Sequence, residues 1–191
     1  MLTKKAPIWE AVQYQKKVFY AGHNGSSPYM GLPSPGLDEA WANITEGHLI
    51  LINSTGVEAL GFSTTNATNV DGLYFAVPEY YHQMHCLDNI RKYIFRDSYP
   101  DFLPFHGTDE QVWGHVDHCI DLLRQRIMCT ADVGLIIYYW EGPERIPKAN
   151  FATEHMCRNL DAIDGWVRDH SWEEGKQLKD LVYPQQRHAG T

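Results

Sequence analysis

The stretches HQMHCLDNIRKYI (82–94) and HVDHCIDLLRQRI (115–127) repeat one pattern, H-x-x-H-C-(L/I)-D-x-(I/L)-R-x-x-I. They begin 33 residues apart and agree at six of thirteen positions, with two further conservative matches. A solenoid needs three or more copies of its unit. Two copies predict a pair of helices joined by a loop and related by a local pseudo-twofold. In the first copy Tyr81, Met84, Leu87, Ile90, Tyr93 and Ile94 recur at helical spacing behind Pro78, which suits a first helical turn. That helix is expected to end near Phe95. The second is expected over about residues 109–129, opened by a Thr108/Gln111 capping box, with Val112, Val116, Ile120, Leu123 and Ile127 as its apolar stripe. The segment DSYPDFLPFHG (97–107) is the loop between them.

On a helix, residues three apart share a face, with Cβ atoms about 5–6 Å apart. His82 and His85 can therefore converge on one ion, as can His115 and His118, with Cys86 and Cys119 beside them. Helical bundles hold metals through side chains spaced in this way. Imidazole suits copper, zinc, iron and nickel. Asp117 in the second copy is matched by Met84 in the first, so no carboxylate repeats beside the histidines. Histidine-only ligation favours one or two copper ions, with zinc second and iron, whose oxygenases use a carboxylate, as a further alternative. Asp88 and Asp121 do repeat. They are expected to pair with Arg91 and Arg124 on their own helices, or else to orient the histidines. His155, beside Cys157 in a looser cluster, is a fifth candidate ligand, and His106 is placed to line the cleft.

Composition narrows the partners. The chain has 191 residues, 43% hydrophobic and 21% charged, with a net charge of −8 and a pI near 5.6. That balance disfavours nucleic acid and anionic membrane. No GxGxxG, GxxxxGK(S/T) or GxSxG motif is present, so nucleotide-binding and hydrolase readings lack support. There is no run of about 18 apolar residues, and the opening MLTKKAPIWEAV lacks the apolar core of a signal peptide, which taken alone reads as cytoplasmic. Four glycosylation acceptors, at Asn24, Asn43, Asn53 and Asn66, point instead to the secretory lumen. In that compartment Cys86, Cys119, Cys129 and Cys157 are expected to form disulfides, with three connectivities open.

The remaining pattern predicts one domain over 1–191, mainly α with minor β. Residues 1–36 form an extended, looping N-terminal region and 184–191 a loose tail. LDEAWANI (37–44) reads as a short helix, and HLILIN (48–53) and LYFAV (73–77) as short strands. A Thr55/Glu58 capping box opens another short helix. VGLIIYYW (133–140) reads as a buried strand, and Tyr80-Tyr81 and Tyr138-Tyr139 as core pairs. Thr153 is expected to cap a helix over 154–170, with a further helix over 171–182.

With the two HxxHC motifs in view, the chain resembles the UstYa-like family of fungal secondary-metabolite proteins. SPYMGLPSPGLDEAW, the paired motifs HQMHCLDNIR and HVDHCIDLLRQRIMCTAD, and FATEHMCRNLDAIDGWV carry the resemblance, over about residues 26–170. The resemblance implies oxidative tailoring of a small-molecule or peptide natural product: hydroxylation, desaturation, halogenation or ring closure, with molecular oxygen or peroxide as oxidant. It also implies copper held by His82, His85, His115 and His118, and a lumenal domain behind an N-terminal membrane anchor, which is not seen before residue 20. Three other readings stand beside it: a non-redox cyclase or isomerase using the histidines as acid and base, a structural zinc module, and an accessory protein. Self-association is left open.

Overall fold

Proline and capping side chains set where the helices of this protein begin. A computed structural model describes residues 6–20, 27–66 and 69–172. In chain order it shows a 3-10 turn at Pro7–Ala11, strand β1 (Tyr14–Tyr20), helix α1 (Pro35–Thr45), β2 (Ile50–Ile52), α2 (Ser54–Ala59), a 3-10 turn at Thr64–Asn66, β3 (Asn69–Val70) and β4 (Leu73–Ala76). Helix α3 (Glu79–Ile94), two more 3-10 turns, α4 (Asp109–Thr130), β5 (Tyr138–Glu141), β6 (Ile146–Ala149), β7 (Ala152–Arg158) and α5 (Leu160–Asp169) follow. The fold is mainly α with minor β, as the pattern predicts. Ser34 caps α1 by accepting from Leu37 N at 3.3 Å, with Pro35 behind it. The Thr108/Gln111 capping box forms in both directions at the start of α4. For α2 the cap lies two residues before the expected Thr55. Asn53 Oδ1 accepts from Gly56 N at 2.9 Å, so asparagine takes the position that threonine was expected to fill.

The chain resolves into two compact units. One comprises residues 1–11, 47–78 and 161–191. Within it β2, β4 and β3 make an antiparallel sheet in that order. Leu49, Ile50, Ile52, Val57, Ile163, Trp166 and Val167 are its buried apolar residues. Leu51 N donates to His170 O and Trp172 N to Leu49 O, tying the end of α5 to this sheet.

The other unit comprises 12–46 and 79–160 and contains both HxxHC helices. Helix α1 is fastened to α3 by a polar network. Arg91 donates to Asp38 Oδ1 at 2.8 Å and to the Tyr99 hydroxyl at 3.0 Å, and that hydroxyl donates to Asp38 at 2.8 Å. The guanidinium also lies 5.3 Å from the centroid of the buried Trp41 ring. Burial by itself lifts the Asp38 carboxyl, but the hydrogen bonds from Arg91 and Tyr99 outweigh it and hold the pKa below the usual carboxylate range.

Several expectations are corrected in this unit. The expected apolar stripes supply only part of the buried seam of α3 and α4, through Tyr81, Val112 and Val116. Leu87, Ile94, Ile120 and Ile127 are exposed, while Tyr81, Cys86, Asp88 and Asn89 of α3 and Val112, Val116 and Cys119 of α4 are buried. The face that turns inward is the one carrying the motif cysteines, because two small sulfur side chains let the helix backbones approach. Of the helix expected over 154–170 only the later part forms, as α5, while 154–158 belong to β7, paired antiparallel with β1 from Tyr14↔Arg158 to Tyr20↔Ala152. Thr153, His155 and Cys157 alternate on its half-buried face, and Thr153 caps nothing. Strand β1 falls inside the N-terminal stretch expected to be extended or looping. The apolar run 133–140 is not a buried strand. Its last residues join β5 of a two-stranded hairpin with β6, and Val133 (89%), Leu135 (77%), Tyr138 (68%) and Trp140 (62%) are exposed. An unalternating apolar run does not say what covers it. Of the tyrosine pairs, Tyr81 is buried while Tyr138 and Tyr139 are exposed. The helix expected over 171–182 and the tail at 184–191 lie outside the described residues apart from Ser171 and Trp172.

Candidate metal centre

Helices α3 and α4 run antiparallel, so each histidine of one motif meets the opposite histidine of the other. His82 faces His118 with ring centroids 5.8 Å apart and planes inclined by 30°. His85 faces His115 at 6.3 Å and 33°. The sequence repeat thus becomes a local pseudo-twofold, and four imidazoles line one face of the helix pair. Below them lie Cys86 and Cys119, both at 0% exposure.

The tightest donor cluster is asymmetric. A ring nitrogen of His82, a ring nitrogen of His118 and Cys86 Sγ all lie within 4.8 Å of one another. Bonds of about 2.0–2.3 Å to a borderline metal place donors at most about 4 Å apart, so this trio needs only a small contraction to close on an ion. Imidazole and sulfur are donors for copper or zinc rather than for calcium or magnesium. Glu79 Oε1 stands 3.8 Å from His82 Nδ1 at the mouth of the cluster.

Electrostatics favour the neutral form of His85. Partial desolvation of the His85 ring, then repulsion from His115 and His82, holds its pKa below the usual histidine range, with Asp88 pulling the other way. Burial and the hydrogen bond to Cys119 push the Cys86 thiol up to about 12. Cys86 is therefore a protonated thiol until something displaces the proton.

The repeated acids pair with the repeated arginines, but in unequal settings. Asp88 is buried and receives Arg91 Nε and Lys92 Nζ, both at 2.8 Å. Asp121 is exposed and receives Arg124 Nε at 2.7 Å. Sequence reasoning passed over Asn89. It is 1% exposed, its amide Nδ2 donates to Cys119 Sγ at 3.6 Å, and its Oδ1 is buried without a hydrogen-bond partner. The signal was in the repeat, since Asn89 is matched by Leu122 in the second copy.

His155 does not join the four histidines. It sits on β7, where Nδ1 meets Asp132 Oδ2 at 2.9 Å and Nε2 meets the Thr153 hydroxyl at 2.8 Å. Asp132 follows the C-terminal end of α4, and about 18 Å of helix separates His118 from Thr130. His106 is exposed and bonded through Nε2 to Pro100 O at 3.1 Å. All four cysteines stand as free thiols in this structure. Cys86 and Cys119 are in mutual hydrogen-bond contact, whereas Cys129 is exposed on the last turn of α4 and Cys157 is half-buried on β7. Sequons bear on the redox compartment and leave the spacing of sulfurs open. Among the sequons, Asn43 and Asn53 are exposed, Asn66 lies in a 3-10 turn, and Asn24 is outside the described residues. No helix among the described residues is long and apolar enough to cross a membrane.

Comparison with known proteins agrees with the paired motif. The family profile described as mycotoxin biosynthesis protein UstYa matches residues 2–170. The UstYa family oxidase phomYc' of Diaporthe leptostromiformis is 34% identical over 144 residues, covering 74% of this chain and 51% of that protein. The UstYa family oxidase aprY of Aspergillus flavus is 33% identical over 112 residues, covering 56% and 33% respectively. A protein named transacylase cctO, from Talaromyces islandicus, is 25% identical over 192 residues, covering 91% and 63%. The chain spans 33% to 63% of the length of these three relatives. No solved structure matches it. A profile match over nearly the whole chain, on a pair of helices whose HxxHC histidines meet face to face, places this chain in the UstYa family.

Proposed function

We propose that this chain is a copper-dependent oxidative tailoring enzyme of fungal natural-product biosynthesis, acting on a small-molecule or peptide substrate. The observation that carries the reading is the facing of His82 with His118 and of His85 with His115, with Cys86 Sγ beside the first pair. The oxidase names of the relatives support the same class of reaction. His82, His85, His115 and His118 are the residues that would hold copper, as one ion or two. When bound, copper supplies one-electron redox chemistry with oxygen or peroxide, the kind needed for hydroxylation, desaturation, halogenation or ring closure at an unactivated C–H bond.

The chain's own part is positional. Imidazoles bind metal only when neutral, and the depressed pKa of His85 keeps one of them deprotonated. The buried Asp88–Arg91–Lys92 pairing and the Arg91–Asp38 link fix the rotation of α3, and with it the direction of His82 and His85. His82 and His118 are solvent-exposed, which leaves the cluster open to a substrate from one side.

Copper loading of the purified chain, read by metal analysis and electron paramagnetic resonance, tests the reading together with oxygen uptake in the presence of candidate peptides. Nitrogen-ligated copper with substrate-dependent oxygen uptake is expected. Activity without metal or oxygen would replace this reading with the non-redox cyclase or isomerase. Stoichiometric zinc whose removal unfolds the chain would replace it with the structural module.

A further inference from the structure

Away from the histidine pairs, a hydroxyl, an imidazole and a carboxylate stand in line. Thr153 Oγ1 lies 2.8 Å from His155 Nε2, and His155 Nδ1 lies 2.9 Å from Asp132 Oδ2. The second oxygen of that carboxylate accepts from Gly134 N at 2.8 Å, which fixes its plane. The imidazole has an aromatic neighbour. The Phe19 ring stacks on it at 3.9 Å and 20°. A Cβ at Gly134 would lie 3.0 Å from Asp132 Oδ1 and 3.4 Å from His155 Cε1, so the glycine leaves room for both groups. The tautomer follows from the partners: a carboxylate takes only hydrogen bonds, so Nδ1 carries the proton and Nε2 is left to accept from the threonine hydroxyl. This is the arrangement by which a weak hydroxyl nucleophile is paired with an oriented base.

We propose that Thr153, His155 and Asp132 form a second reactive site that accepts an acyl group from an activated ester or thioester. Thr153 Oγ1 bonds to the acyl carbon while its proton passes to His155 Nε2. The bond from the acyl carbon to the leaving oxygen or sulfur breaks, and the departing alcohol or thiol takes that proton. No oxidant is needed, and the product is an O-acyl threonine. Asp132 is a positioning residue that holds the imidazole in the accepting tautomer. Its carboxyl is 62% exposed and the His155 side chain 16% exposed, so the site is open at the carboxylate end and enclosed around the ring. Nothing in this proposal depends on a metal.

The test is acylation of the full chain with p-nitrophenyl acetate, read by p-nitrophenolate release and by peptide mapping, with circular dichroism as the check of folding. Acetyl on Thr153 is expected, absent in Thr153→Val and retained in Thr153→Ser. His155→Gln should slow labelling of Thr153 by about 100-fold or more, the range a positioned base contributes. Asp132→Asn should slow it as well, and Asp132→Glu should recover part of the rate, which a purely structural role would not give. Folded wild-type chain that carries no acetyl on Thr153, or carries it at the same rate in His155→Gln, overturns the proposal. Copper content is measured in parallel, so failure here is distinguishable from failure of the oxidase reading.

Discussion

His82 on the first turn of α3 faces His118 on α4 at 5.8 Å between ring centroids, with Cys86 Sγ completing a trio of donors within 4.8 Å. That relationship makes the two motifs one site, and it ranks the histidines. Replacing His82 or His118 with alanine should remove most copper binding in metal analysis of the folded chain. Replacing His155, which is engaged by Asp132 and Thr153, should leave copper content unchanged. Full copper content in both His82→Ala and His118→Ala would refute the ligand assignment.

The repeated aspartates give a test of burial at constant sequence context. Asp88→Ala strands Lys92, which is 18% exposed, and leaves Arg91 only Asp38 and Tyr99, and should destabilise by about 3 kcal/mol, as removal of one partner from a buried ion pair does. Asp121→Ala, at the same position of the second copy, breaks only exposed contacts and should leave stability close to that of the parent. Urea unfolding of the two variants measures the difference.

Asn89 keeps a buried carbonyl oxygen without a partner. An unpaired buried polar atom costs about 1–3 kcal/mol, so Asn89→Leu, which restores the residue of the second copy, should raise the urea midpoint. A lowered midpoint would mean that the amide is satisfied in solution.

Cys86 is fully enclosed and carries a protonated thiol. Cys86→Ser puts a stronger hydrogen-bonding group into the same space and should cost about 1–3 kcal/mol. Thiol titration of the native chain should label Cys129, which is exposed, well before Cys86 or Cys119.

The Asp38 carboxyl gives stability a sign against pH. Its folded pKa lies below the ordinary value of 3.8, so its contribution is present in full above that value and is lost as pH falls through the folded pKa. Asp38→Asn should be less stable than the parent at pH 7 and lose less between pH 4 and about 2. Parallel slopes for parent and variant over that window, measured by denaturant unfolding, would contradict the Arg91–Asp38–Tyr99 network as a source of acid sensitivity.

What the sequence determined by itself was local. The HxxHC repeat fixed two helices with their histidines three residues apart on one face, and Thr108 with Gln111 fixed where the second begins, because capping and helical period act within a few residues. Tertiary structure decided everything that needed a distant partner. Residues 152–158 became a strand because β1, more than a hundred residues earlier, pairs with them, and this alternation carried His155 to Asp132 and Thr153 instead of to the four motif histidines. The same dependence left the apolar run 133–140 uncovered and turned the cysteine face of α3 and α4 inward in place of the leucine and isoleucine stripe. Which face of a helix is buried is set by what packs against it, and that is written in no single stretch of the chain.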